Sequence, residues 1–141
     1  MSPVPFFQRV EQVGVLCLVE PIDGAATADL GDAALCSHVA ARLVSLLGPD
    51  LAVATLVPND PRIAAQNSLL VLVHATLRPA CDHRLLALAA TLERTGTDSA
   101  PPFFVTPPQA VVVEGGLDDT ILDAALDRLL EPLARALRAN C

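Results

Sequence analysis

The chain has 141 residues, 52% of them hydrophobic, and a formal charge of −7 from 16 acids against 9 basic residues, all arginine. A domain of this length hides about 68–70% of the surface its unfolded chain exposes, so 1–141 reads as one domain that needs no metal or disulfide staple. The acidic balance excludes a nucleic-acid backbone as partner, four phenylalanines as the only aromatics make base-stacking platforms hard to build, and every apolar run is too short or too broken to span a bilayer.

Residues 1–12 read as an extended N-terminal arm, with Phe6 and Phe7 either tucked against the body or reaching a neighbouring subunit. Val13 to Val19 is a short continuous apolar run, the pattern of a strand covered on both faces, and Glu20-Pro21 stops it. Small and polar residues follow to Gly31, where Asp29 or Asp32 is placed to cap a helix. That helix is expected over 32–47. Leu35, Val39, Leu43, Leu46 and Leu47 form its stripe, His38 and Arg42 flank it, and Gly48-Pro49 ends it.

Leu51 to Val57 is the next strand, and Arg62 to Asn67 is one helical turn or an irregular link. The stretch from Ser68 to Arg94 is a hairpin. Alternation puts Leu69, Val71, Val73, Ala75 and Leu77 on one face with Leu86, Leu88, Ala90 and Leu92. The opposite face receives Leu70, Leu72, His74 and Thr76 from the first strand, and Leu85, Ala87, Ala89 and Thr91 from the second. The first set is bulky and aliphatic and should take the helices. The second is too greasy to be fully wetted and too small-featured for another thick core. That face is the candidate interaction surface.

After a polar turn at 97–102, Phe103–Val105 and Gln109–Glu114 read as edge-strand pieces parted by Pro107-Pro108. The last helix, roughly 118–138, carries the clearest stripe: Ile121, Leu122, Ala125, Leu126, Leu129, Leu130, Leu133 and Leu137. Pro132 should bend or break it, and Asp123 and Asp127 are expected on its solvent face.

No glycine-rich phosphate loop, zinc-protease motif or nucleophile elbow is present. Cys17, Cys36, Cys81 and Cys141 lack CxxC spacing, and Cys17 and Cys36 read as small buried hydrophobes. Cys81-Asp82-His83 at the hairpin tip is the one reactive cluster. Two ligands do not make a metal site, which needs three or four, so the tip reads as a turn in which Asp82 bonds its own backbone. No catalytic residue, metal or cofactor is expected. Without a basic n-region leading into an apolar core, the expected location is cytoplasmic, or periplasmic if an export segment has been removed.

The order of elements runs strand, helix, strand, hairpin, a Glu93-Arg94-Thr95-Gly96 turn, strand and helix. It resembles the small α/β domain shared by the amino-terminal part of TolB and by CsgG-like secretion lipoproteins. The matching pieces are Val13–Val19, Leu35–Leu47, Ala52–Val57, Leu69–Leu77, Arg84–Glu93 and the helix from Asp118. Two features depart from that group: Glu20-Pro21 stands where Pro-Phe is usual, and His74-Ala75-Thr76 where the first hairpin strand often has glycine. The resemblance implies a binding and assembly domain in or near a bacterial envelope complex, and brings no catalytic residues.

The expected fold is therefore a two-layer α+β domain. Its mixed or antiparallel sheet of four to five strands carries two main amphipathic helices on one face. The expected function is a non-enzymatic interaction module with a protein partner, most simply a second copy in a homo-oligomer, with no nucleic acid and no membrane insertion. The rival is a small enzyme or ligand-binding protein, with its pocket between the first helix, the 21–31 loop and the hairpin tip.

Overall fold

The structure, a computed structural model, describes residues 5–21, 30–94, 104–114 and 116–141. The expected turn at 97–102 and most of the loop before the first helix lie outside the described residues. The elements run β1 (Gln12–Pro21), α1 (Asp32–Leu47), β2 (Ala52–Thr55), β3 (Ser68–Ala80), β4 (His83–Glu93), β5 (Phe104–Val105), β6 (Gln109–Val113) and α2 (Asp119–Asn140). Short 3-10 turns, Pro5–Phe7 and Pro61–Ala64, precede β1 and β3.

The strands form one mixed sheet in the order β2-β1-β3-β4, with β5 and β6 both pairing with β4 along its outer side. β1 runs parallel to β2 and β3, while β3, β4 and the last two strands pair antiparallel. The sheet has six strands where four or five were expected, because the prolines at 107 and 108 divide the last one. Proline cannot donate to the ladder, so the chain leaves β4 at Thr106 and rejoins it at Gln109.

Both helices lie on one face. The side chains beneath them are Val13, Val15, Cys17 and Val19 of β1, Leu69, Val71, Val73 and Ala75 of β3, and Leu86, Leu88, Ala90 and Leu92 of β4, all buried. The alternation expected for the hairpin is the one found. β1 differs: Leu16 is half-buried and Leu18 is 39% exposed, so that strand is fully covered on one face and on the other only near Gly14. Its unbroken apolar run reflects a central position in the sheet, not burial on both sides.

α1 is ended by Gly48, whose positive φ of 77° suits a residue without Cβ, and Pro49 follows. It buries Leu35, Cys36, Val39, Leu43 and Leu47, with Leu46 half-buried. Asp32 does not cap its own helix. Gly31 is the N-cap, and Asp32 Oδ1 accepts the Val19 N–H at 2.7 Å, tying the start of α1 to β1.

α2 buries Leu122, Ala125, Leu126, Leu129, Leu130, Leu133, Ala134 and Leu137, while Ile121 lies outside the stripe at 36% exposed. Each buried leucine contributes about 1.5–3 kcal/mol by transfer from water. Packing on that scale explains why α2 continues through Pro132 instead of breaking there. Asp118 caps it, its side chain accepting the Thr120 N–H at 2.7 Å.

Asp123 and Asp127, expected on the solvent face, are half-buried and paired across the helix seam. His38 Nδ1 lies 2.9 Å from Asp123 Oδ1, and Arg42 Nε and Nη2 donate to the two Asp127 oxygens at 2.7 and 3.0 Å. Acids four apart on α2 thus meet bases four apart on α1 across the helix seam. The N-terminal segment is likewise drawn in from Phe6 onward. Phe6 and Phe7 are buried edge to face, and Arg94 donates to the Phe6 and Gln8 carbonyls at 2.7 Å each.

Candidate functional site

The face of the sheet away from the helices carries the residues that alternation had singled out. Register makes Leu72 the partner of Thr91, His74 of Ala89 and Thr76 of Ala87, while Leu70 stands opposite Glu93 and Leu85 opposite Arg78. Cross-strand partners point to the same side of a sheet. All eight candidates, Leu70, Leu72, His74, Thr76, Leu85, Ala87, Ala89 and Thr91, therefore share one surface.

Strand order extends that surface in both directions. β1 brings Leu16 beside Leu72 and Leu18 beside His74. On the other side β5 places Val105 next to Thr91, and β6 places Ala110 next to Ala87 and Val112 next to Leu85. One row across the sheet thus reads Leu16, Leu72, Thr91, Val105. Val105 and Val112 are 57% and 56% exposed. These flanking apolar residues could not be found from the sequence, because only the pairing of β1, β5 and β6 with the hairpin puts them there.

The surface is not uniform. At one end Leu56 lies over Gly14, and the adjacent Leu70 is largely covered. Toward the hairpin tip it becomes polar with Glu20, Thr76 and Arg78. The Thr91 hydroxyl is buried and has no hydrogen-bond partner among the described residues. No described helix covers the centre of the face, which mixes leucine, alanine and valine with little charge. Contiguous apolar surface of that kind marks interaction sites.

The hairpin tip is different in character. Cys81, Asp82 and His83 are all exposed, and Cys81 holds a positive φ of 54° in the two-residue turn. His83 Nε2 lies 3.8 Å from Glu114 Oε1. Among the described residues no group of three or more His, Cys, Asp or Glu side chains could hold a metal ion.

A cleft of about 260 Å³ does exist, between β1, the start of α1 and the chain leaving β2. Cys17, Asp32, Cys36, Ser37 and Thr55 border it. It adjoins the first helix, but Cys81, Asp82 and His83 take no part in it, and residues 22–29 of the loop named in the rival reading lie outside the described residues. Both its cysteines are free thiols, and Cys36 Sγ donates to the Val15 carbonyl at 3.6 Å. The Cys17 thiol is pushed well up from its ordinary range by its hydrogen bond to Cys36 and by burial, and the same bond draws Cys36 down.

No protein-family model matches this chain, and no curated protein matches it. Solved structures do. A PelC dodecamer from Paraburkholderia phytofirmans, a point-substituted form in space group C2, matches with a TM-score of 0.54 at 14% identity, over 89% of this chain and 90% of that one. A second PelC dodecamer from the same organism, in space group P6, matches with a TM-score of 0.51 at 13% identity, over 94% and 93%. At such identities the likeness is one of fold, and it extends over nearly the whole of both chains.

Proposed function

We propose that this protein is a non-enzymatic assembly module that builds a homo-oligomer through the uncovered face of its sheet. The observation that carries the proposal is the apolar surface across β1, β3, β4, β5 and β6, with the described helices packed on the opposite side. Burying such a surface against a second copy removes apolar area from water at about 25 cal/mol per Å², without desolvating many charges. The fold likeness to PelC, a protein that forms a dodecamer, supports self-association as the use of this architecture. A setting in a bacterial envelope complex is the finer part of the proposal, and rests on the resemblance to the TolB amino-terminal and CsgG-like domains.

The test is the mass in solution. Size-exclusion chromatography with light scattering should give a multiple of the 14.7 kDa chain. Leu72→Arg and Ala87→Arg should each reduce that mass while the far-ultraviolet circular dichroism stays unchanged. A wild-type chain that remains a monomer at high concentration, or variants that keep the full mass, would count against the sheet face as the interface.

A further inference from the structure

Outside the sheet face, one pair of nucleophilic side chains meets in the core at the edge of a cleft. Cys17 projects from β1 toward the helices, and Cys36 projects from α1 toward β1; both are 6% exposed. Both side chains border the same cleft, and the Cys36 thiol lies against β1, donating to the carbonyl of Val15, two residues before Cys17 on the same face of that strand. A disulfide requires that the two side chains face one another from adjoining elements. Here they do, one from the sheet and one from the helix lying on it. The remaining cysteines, Cys81 and Cys141, are exposed elsewhere.

We infer that Cys17 and Cys36 form a reversible dithiol–disulfide couple, which links β1 to α1 by exchange with a low-molecular-weight disulfide entering the adjoining cleft. Cys36, whose thiol is held at the border of the cleft by the Val15 carbonyl, is the first nucleophile. Its thiolate attacks one sulfur of the incoming disulfide, forming a mixed disulfide and expelling one thiolate, which takes up a proton. Cys17 then gives up its proton and attacks the Cys36 sulfur, expelling the second thiolate. The two protein thiols are oxidised to one disulfide, and the small disulfide is reduced to two thiols, so electrons and protons balance.

The cleft is what makes the step accessible. Both cysteines border it together with Asp32, Ser37 and Thr55, so a slender disulfide can meet Cys36 without unfolding the domain. Once formed, the link closes a loop from β1 to α1 and restricts the unfolded chain, so the oxidised protein is the more heat-resistant form.

The full chain carrying Cys81→Ser and Cys141→Ser is exposed to 2-hydroxyethyl disulfide under native conditions, then denatured, alkylated and weighed by mass spectrometry. The expected product is lighter by two hydrogens, resists alkylation, and melts about 5–10 °C above the reduced protein. With Cys17→Ser added, the reaction should stop at a mixed disulfide on Cys36. Non-reducing peptide mapping of the wild-type chain should show the same Cys17–Cys36 link, whatever the substitutions do to folding. Free, alkylatable thiols at both positions after exposure, or two separate mixed disulfides, would overturn the inference.

Discussion

The side chain of Leu56 lies across the face of Gly14, so that a Cβ at position 14 would overlap Leu56 Cδ1 and come within 3.1 Å of its Cγ. Gly14 is thus not a flexible point in β1 but a recess into which the chain leaving β2 folds a leucine, only 6% exposed. Leu56 is fixed in turn through its backbone, whose N–H donates to the Val15 carbonyl at 2.8 Å. Gly14→Ala should therefore destabilise the domain by about 1–3 kcal/mol through overpacking. The penalty should be partly relieved when Leu56→Ala is added, since residues in contact couple by roughly 0.5–3 kcal/mol. Urea unfolding of both single variants and the double variant measures this; additive losses would show that the two positions do not clash.

Asp60 governs a second expected behaviour, in acid. Its carboxylate accepts from Arg62 Nε at 3.1 Å, Arg62 Nη2 at 2.8 Å and the Arg62 backbone N–H at 3.0 Å. The Arg62 side chain above all, then the Arg62 N–H, holds Asp60 well below the usual carboxylate range, against the opposing effect of desolvation. A group depressed in the folded state adds stability above its unfolded pKa of about 3.9 and loses it as pH falls toward the folded value. Asp60→Asn should accordingly be less stable than wild type at pH 7, and the gap should close as pH falls below about 4. Thermal melts across that range provide the check, and a gap independent of pH would contradict it.

Pro132 offers the opposite sign. It sits in the interior of α2, where it has no N–H to donate to the Arg128 carbonyl and its ring crowds that carbonyl. The buried leucines on either side keep the helix continuous despite the defect. Pro132→Ala restores the missing donor and raises helix propensity, and should stabilise the domain by about 1–3 kcal/mol. The urea midpoint should rise with an unchanged slope; a loss of stability would mean that the packing of α2 depends on the proline.

Patterns of period two and period three to four carried most of the architecture. The hairpin faces and the stripes of α1 and α2 were legible because burial on one side of a strand or helix leaves that periodicity in the residues themselves. What depended on distant partners was not legible. Leu18, Val105 and Val112 join the candidate face only through strand order, which no local pattern encodes. Asp123 and Asp127 have the look of a solvated helix surface until α1 places His38 and Arg42 opposite them. Cys17 and Cys36 read as separate small hydrophobes because their meeting depends on how α1 docks against β1.

The helix seam has a further consequence. The acids of α2 recur at every fourth residue, Asp119, Asp123, Asp127 and Glu131, forming a rail with one anion per turn. His38 already touches two of them, at 2.9 Å from Asp123 and 3.5 Å from Asp119. Sliding α1 by one turn would move Arg42 from Asp127 to Glu131 and His38 from Asp123 to Asp127, leaving each basic side chain opposite an acid. These polar pairs therefore hold the two helices together without choosing their register. That choice falls to the leucines beneath, whose interlocking shapes, unlike the evenly spaced rail, do not repeat when shifted.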